Sequence, residues 1–193
     1  MKAQKQPLPL FVLLDSRDKD CYKPYMAYDY DALYATQPNA LGQPTAAIVG
    51  FFDTFQMTDA RVLDVGCGQG RDAVFIARAG HRVVGVDLSE HGIGDMMAAA
   101  SGLRITGDVA DITTYQPDGM FDVILIDRTL HMLPRADQRV VLEKLITHLC
   151  PQGWLLIADE ASNMQGFRAT MAASGRDWTI TKDSKGMLFA QAL

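Results

Sequence analysis

The run at residues 61–89, RVLDVGCGQGRDAVFIARAGHRVVGVDLS, narrows the folds open to this chain more than any other stretch. Val62, Leu63 and Val65 predict a strand that breaks at Gly66, Gly68 and Gly70, where the backbone can turn tightly and approach a ligand with no Cβ in the way. Ala73, Ile76 and Ala77 then recur at helical spacing, Gly80 ends the helix, and a second apolar run, 83–86, finishes in Asp87. Strand, glycine turn, helix, strand and terminal acid make a βαβ unit, which binds a ribose-bearing ligand at the carboxyl ends of its strands.

The same alternation continues on both sides of this run. Pro44, at a first helical position, introduces Ala47, Ile48, Phe51, Phe52 and Phe55 as an apolar stripe. Ser89 caps a helix containing Ile93, Met96 and Met97, the methionines reading as core filler, with Gly92 and Gly94 weakening its first turns. A short strand at 103–106 leads into the turn Gly107-Asp108-Val109, and a clearer one at 121–126 closes with Asp127-Arg128. Pro134 starts a helix whose Val141, Leu142, Leu145 and Leu149 share one face, residues 150–153 turn, and 154–158 forms a fifth strand ending in Asp159-Glu160. A last helix at 165–173, bounded by Gly175, precedes two runs, 178–182 and 187–192, that form a hairpin across Lys185-Gly186. Alternating strands and helices predict an α/β fold, a mainly parallel sheet covered on both faces with the hairpin at one edge.

A chain of 193 residues suits one domain with a substantial core. Apolar residues at 48% against 21% charged exclude disorder, and a net charge of -5 with no basic cluster argues against nucleic acid or an anionic membrane as partner. Cys21, Cys67 and Cys150 lie far apart with no CxxC pair, so neither a disulfide framework nor a metal site is expected. Lys2 and Lys5 precede the apolar stretch 7–14, but it is too short to span a bilayer and lacks a small-residue cleavage site, which predicts a cytoplasmic protein. The organisation expected is an N-terminal segment, 1–42, able to act as a lid, followed by the main domain, 43–193. Tyr22, Tyr25, Tyr28, Tyr30 and Tyr34 cluster in that segment, and a short helix there presents its phenols to a core or a pocket.

Glycine spacing separates two kinds of nucleotide site. Dinucleotide sites carry G-x-G-x-x-G with a pyrophosphate on the helix N-terminus, the signature of an NAD-dependent oxidoreductase. Here the run is G-x-G-x-G behind Asp64, an acid that repels a pyrophosphate and attracts the ammonium of an amino-acid moiety. VLDVGCGQG resembles the first motif of the class I S-adenosylmethionine-dependent methyltransferases, whose Rossmann-like fold has a seven-stranded, mainly parallel sheet. The resemblance implies S-adenosylmethionine as cofactor, with Asp64, Gly66, Cys67, Gly68 and Gly70 facing its methionine part. It further implies Asp87 at the ribose hydroxyls and Asp108 with Val109 at the adenine edge; Leu88 joins the cofactor-binding set, and Asp127, at the end of the fourth strand, is read as a contact to the cofactor's amino group. GCGQGRDAVFIARAGHRVVGVDLS with FDVILIDRTLHMLPRADQRVVLEKLITHLCPQGWLLIAD is also similar to the thiopurine and tellurite-resistance type of small-molecule methyltransferase, although the tryptophan-bearing form of its N-terminal segment is missing.

Methyl transfer from a sulfonium is an in-line displacement, so positioning supplies much of the acceleration. A thiol or another soft nucleophile needs little beyond deprotonation, whereas a phenol or amine needs a base nearby. His131 has the titration range for that base, Tyr34 is a lid and catalytic candidate, and Arg128 either holds an anionic substrate or pairs with Asp127, the ion pair being favoured. Cys67, inside the loop, is expected to pack rather than react. A protein that binds the cofactor without turnover is the alternative to an enzyme.

Overall fold

The computed structural model describes residues 28–193; the stretch 7–14, Cys21, Tyr22 and Tyr25 lie outside the described residues. Chain order is α1 (Tyr30–Thr36), α2 (Ala46–Thr54), β1 (Arg61–Val65), α3 (Arg71–Arg78), β2 (Arg82–Asp87), α4 (Glu90–Ala99), β3 (Ile105–Val109) and β4 (Phe121–Asp127). A 3-10 turn, Leu130–Met132, then leads to α5 (Arg135–Thr147), β5 (Leu149–Ala158), α6 (Met164–Ala173), β6 (Trp178–Ser184) and β7 (Met187–Ala192). The strands form one seven-stranded sheet in the order β3-β2-β1-β4-β5-β7-β6. β1 to β5 are mutually parallel, and β7 runs antiparallel to both β5 and β6.

Successive side chains on a strand point to opposite faces, which divides the core in two. Val62, Val123 and Leu125 pack with Ile48, Phe52, Ile76 and Met96 under α2, α3 and α4. Leu63, Val65, Ile124 and Ile126 pack with Leu142, Leu145, Phe167 and Met171 under α5 and α6. Helices on both faces explain why β1 and β4 read as continuous apolar runs rather than alternating ones. The hairpin closes through Lys185 (φ 52°) and Gly186 (φ 76°), a pair of left-handed residues whose twist suits a two-residue connection. No helix among the described residues is long and apolar enough to cross a membrane.

Five local readings need correction, the first being that Leu149 begins β5, paired with Phe121, rather than completing the apolar face of α5. Pro44 lies one residue before the N-cap of α2, because Thr45 takes the cap and its N–H is committed to Asp72 Oδ1 at 3.1 Å. Pro134 is itself the N-cap of α5, not its first helical residue. Gly107, Asp108 and Val109 belong to β3, paired with Gly85, Val86 and Asp87, rather than to a turn. Residues 150–153 lie within β5: Phe121 pairs with Leu149 and Val123 with Trp154, so the expected turn is a bulge. Gly92 in α4 has a packing reason, since a Cβ there would lie 3.0 Å from the Gly68 backbone and from Tyr34.

Beside β2, His81 is buried against Phe52 and Phe55, and its Nδ1 accepts from the Ala60 N–H at 3.2 Å. Burial pushes its pKa below the ordinary value, with Arg104 adding to the effect. A depressed imidazole contributes stability that is full above the unfolded pKa and lost as pH falls through the folded one, because the unfolded chain takes up the proton first. Urea denaturation between about pH 7 and 5 is therefore expected to show falling stability, and His81→Asn, which keeps an acceptor but not the titration, should flatten that limb.

Candidate active site

Strand order reverses between β1 and β4, and ligands of open α/β sheets bind at such a switch point, outside the carboxyl ends of the strands. Two loops meet there. After β1, the Gly66 and Cys67 amides donate to Val86 O at 2.7 and 3.1 Å, which folds the glycine loop back over β2. Gly66 (φ 75°) lies against the loop after β4: a Cβ would sit 2.1 Å from Thr129 Oγ1, itself a donor to Val65 O at 3.0 Å. At Gly68 (φ 51°) a Cβ would sit 2.6 Å from the Tyr34 hydroxyl oxygen. Cys67 is buried and packs beneath Gly85, and burial pushes its thiol well up, so it stays protonated.

The three expected acids lie on consecutive strands. Asp64, on β1, is 3% exposed; burial raises its pKa well above the ordinary carboxylate range, Asp72 and Asp127 raise it further, and Arg71 opposes them. Asp87, ending β2, accepts from Gly68 N through Oδ2 and from Ser89 N through Oδ1, both at 2.8 Å. Burial raises its pKa also, against the pull of those backbone donors. Each oxygen keeps a second lone pair for a ligand hydroxyl. Asp108, on β3, accepts from the Tyr115 hydroxyl at 2.8 Å, with Leu88 and Val109 exposed along the same edge.

Asp127 differs from the reading of Arg128 as its ion-pair partner. The guanidinium of Arg71 bonds both Asp127 Oδ2 and Asp72 Oδ2, the latter at 2.8 Å, and all three side chains are largely buried. Thr45 Oγ1 also donates to Asp127 Oδ2, at 2.6 Å. Arg128 is exposed and left-handed (φ 53°), its N–H donating to Ala158 O at 2.7 Å; the backbone turn it makes presents Thr129 to Gly66. Arg71 thus bonds two carboxyls, Asp72 and Asp127, and acts on Asp64 only through its charge, which leaves the crevice short of positive charge and suited to a ligand ammonium.

Residues 30–41 pack against this loop. Tyr34 is buried, its ring 5.8 Å from that of Tyr30, and burial, with Asp87 next, pushes its phenol up so that it stays protonated. Asp31 accepts from Ser89 Oγ at 2.6 Å and His91 N at 3.1 Å, contacts that hold its carboxyl down to about 2 and join α1 to the start of α4. Gln69 spans the gap: its Oε1 accepts from Ala40 N at 2.8 Å, and its Nε2 donates to Gln37 O at 2.9 Å and Asp95 Oδ2 at 2.8 Å.

His131 sits on the 3-10 turn after β4. Its N–H donates to Asp159 Oδ2 at 3.0 Å, and its Nδ1 lies 3.6 Å from the same oxygen. The side chain of Asp159, the residue after β5, is fully buried and also accepts from Glu160 N at 2.7 Å and Asn163 Nδ2 at 2.9 Å. Thr45, Arg71, Asp72, Tyr115 and Asp159 are the site neighbours that sequence reasoning passed over. Two of them carried a signal, Arg71 as the residue closing the G-x-G-x-G-R run and Asp159 as the acid after a strand. No group of His, Cys, Asp and Glu suited to a metal occurs among the described residues.

The sheet order, the glycine loop and the acids on β1, β2 and β3 define a Rossmann-like fold of the class I methyltransferase type. Residues 62–153 match the family model described as a methyltransferase domain, and the fold is that of the class I S-adenosylmethionine-dependent methyltransferases. It is 34% identical over 108 residues to the 2-heptyl-1-hydroxyquinolin-4(1H)-one methyltransferase of Mycobacteroides abscessus, covering 54% of this chain and 47% of that one. To the ubiquinone biosynthesis O-methyltransferase of Bordetella bronchiseptica it is 30% identical over 146 residues, 72% of this chain and 56% of that one. The chain spans about half the length of these curated relatives. A TehB-like S-adenosylmethionine-dependent methyltransferase from Corynebacterium glutamicum shares the fold at a TM-score of 0.64 and 22% identity, over 79% of this chain and 89% of that one.

Proposed function

We propose that the protein transfers a methyl group from S-adenosylmethionine to a small-molecule acceptor held at the carboxyl ends of β4 and β5. One observation carries the reading: Asp64, Asp87 and Asp108 stand on three adjacent strands around the glycine loop, matching in order the ammonium, the ribose hydroxyls and the adenine amine. The cofactor supplies an activated methyl on a sulfonium. Asp64 offers a buried carboxylate to the ammonium, the Gly68 and Gly70 stretch gives close backbone approach, and Asp87, beside Leu88, accepts from the ribose hydroxyls. Asp127, with Arg71 and Thr45, fixes the wall of the crevice.

In this reading residues 43–193 are the methyltransferase domain and 1–42 the lid, whose described part lays Tyr34 on Gly68 and excludes water from the reacting centre. His131 is the base that removes the acceptor's proton, with the buried Asp159 behind it, and Arg128 faces an anionic part of the acceptor. The relatives named for hydroxyquinolone and ubiquinone methylation favour an oxygen acceptor. A thiol or other soft nucleophile is the second reading, in keeping with the resemblance of the glycine-loop and post-β4 runs to the thiopurine and tellurite-resistance type of methyltransferase.

Transfer of labelled methyl to a panel of phenols, N-hydroxy heterocycles, thiols, amines and chalcogen oxyanions tests the proposal. Turnover of a hydroxylated acceptor is expected, and His131→Ala should lower its kcat about 10²- to 10⁴-fold with little change in the KM for the methyl donor. A thiol turned over equally well by both proteins would establish the second reading. Protein that binds S-adenosylhomocysteine yet methylates nothing in the panel would sink both in favour of a non-catalytic binder.

A further inference from the structure

Asp108, read above as the adenine contact, is exposed on β3, but its carboxylate has a fixed partner. The phenol of Tyr115 donates to Oδ2 at 2.8 Å. Tyr115 is held in turn: its N–H, with that of Thr114, donates to Asp111 O, and the Asp111 carboxylate accepts from Thr113 N at 2.8 Å. Lys144 of α5 donates to Ile112 O and Thr113 O at 3.1 and 3.2 Å, and Ala110 N donates to Asp87 O at 2.9 Å. The Tyr115 ring packs on the core under α5 and α6. Burial, then the neighbouring Asp108 carboxylate, pushes the phenol up, so it remains a donor across the working pH range.

Such a bond has a directional consequence. A carboxylate accepts hydrogen bonds and, while ionised, donates none. With Oδ2 engaged by the phenol, Oδ1 is the oxygen left without that donor, and the bond meets part of the carboxylate's ordering cost before a ligand arrives. A fixed acceptor there suits a base edge carrying an amine and opposes one carrying a carbonyl oxygen, whose lone pairs would face the carboxylate.

We propose that Tyr115 is a positioning residue that sets base specificity: by orienting Asp108 it makes the site select a 6-amino purine over a 6-oxo purine. This rests on the reading of Asp108 as the adenine contact. The probes are S-adenosylhomocysteine and its deaminated analogue S-inosylhomocysteine, titrated calorimetrically against the intact chain. The wild type is expected to prefer the adenosyl compound by about 10-fold or more, the effect of a donor matched to a charged acceptor. Tyr115→Phe should weaken adenosyl binding about 3- to 10-fold while leaving inosyl binding nearly unchanged, so that the preference collapses. Asp108→Asn, which can turn an amide N–H toward a carbonyl, should shift the preference toward the inosyl compound. Equal weakening of both ligands in Tyr115→Phe, or no change, would overturn the proposal by leaving Tyr115 a purely structural part of its loop. Failure of the wild type to bind either compound would instead remove the reading of the site as a whole, which keeps the two outcomes apart.

Discussion

Asp64→Asn is expected to weaken S-adenosylhomocysteine binding about 10- to 100-fold while making the unliganded protein more stable by about 1–2 kcal/mol. Both effects come from burial. The carboxyl lies inside the sheet edge at 3% exposure, crowded by Asp72 and Asp127, with the Arg71 guanidinium already engaged by those two neighbours. Its folded pKa therefore lies above the ordinary range. A raised carboxyl contributes stability that is complete below the unfolded pKa and lost as pH rises through the folded one, so at neutral pH ionising it is a cost to the empty protein. A ligand ammonium reverses the balance by pairing with the charge. Wild-type affinity should accordingly rise with pH through the folded pKa of Asp64 and then level off, with proton release visible as a buffer-dependent binding enthalpy. The asparagine variant should show neither slope nor release. An unchanged affinity in Asp64→Asn would remove this carboxyl from the site.

Arg71→Gln should have the largest effect on folding, a loss of about 3–5 kcal/mol, because it strips the counter-charge from two carboxylates that remain buried. The Asp72 and Asp127 side chains are each 5% exposed, and Thr45, which bonds both, ties the start of α2 to the same cluster. Without the guanidinium, the Asp72 carboxyl loses the group that opposes its burial, so the deficit relative to wild type should grow as pH rises and shrink in acid, where protonation removes the uncompensated charge. Urea titrations at two pH values read this directly. Arg71→Lys, which keeps the charge but not the planar fork, should fall between the two. A deficit below about 1 kcal/mol with no pH dependence would mean that the cluster contributes no more than a surface pair.

Most of the sheet was legible because each strand signal is local. Period, glycine breaks and terminal acids brought out β1, β2 and β4, and the paired turn residues Lys185 and Gly186 brought out the hairpin. β5 was shortened because Pro151 and Gly153 carry turn chemistry, whereas Gln152 (φ 61°) absorbs a bulge and the strand pairs with β4 on both sides of it. Parts of the site were harder to see for a different reason. Thr45 and Asp127 stand 82 residues apart, and Arg71 and Asp127 stand 56 apart. The choice of Arg71 over the adjacent Arg128 is decided by the left-handed turn at Arg128, which no residue pattern announces. Asp159 read as a strand-ending acid, and only the 3-10 turn brings the His131 backbone onto it.

The most direct measurement is a calorimetric titration of the wild-type chain with S-adenosylhomocysteine and, separately, with NAD. Saturable one-to-one binding of S-adenosylhomocysteine, weakened by Asp64→Asn, with no saturable binding of NAD, is the expected result. Saturable NAD binding by well-folded protein that ignores S-adenosylhomocysteine would contradict the assignment of the glycine loop and its three acids.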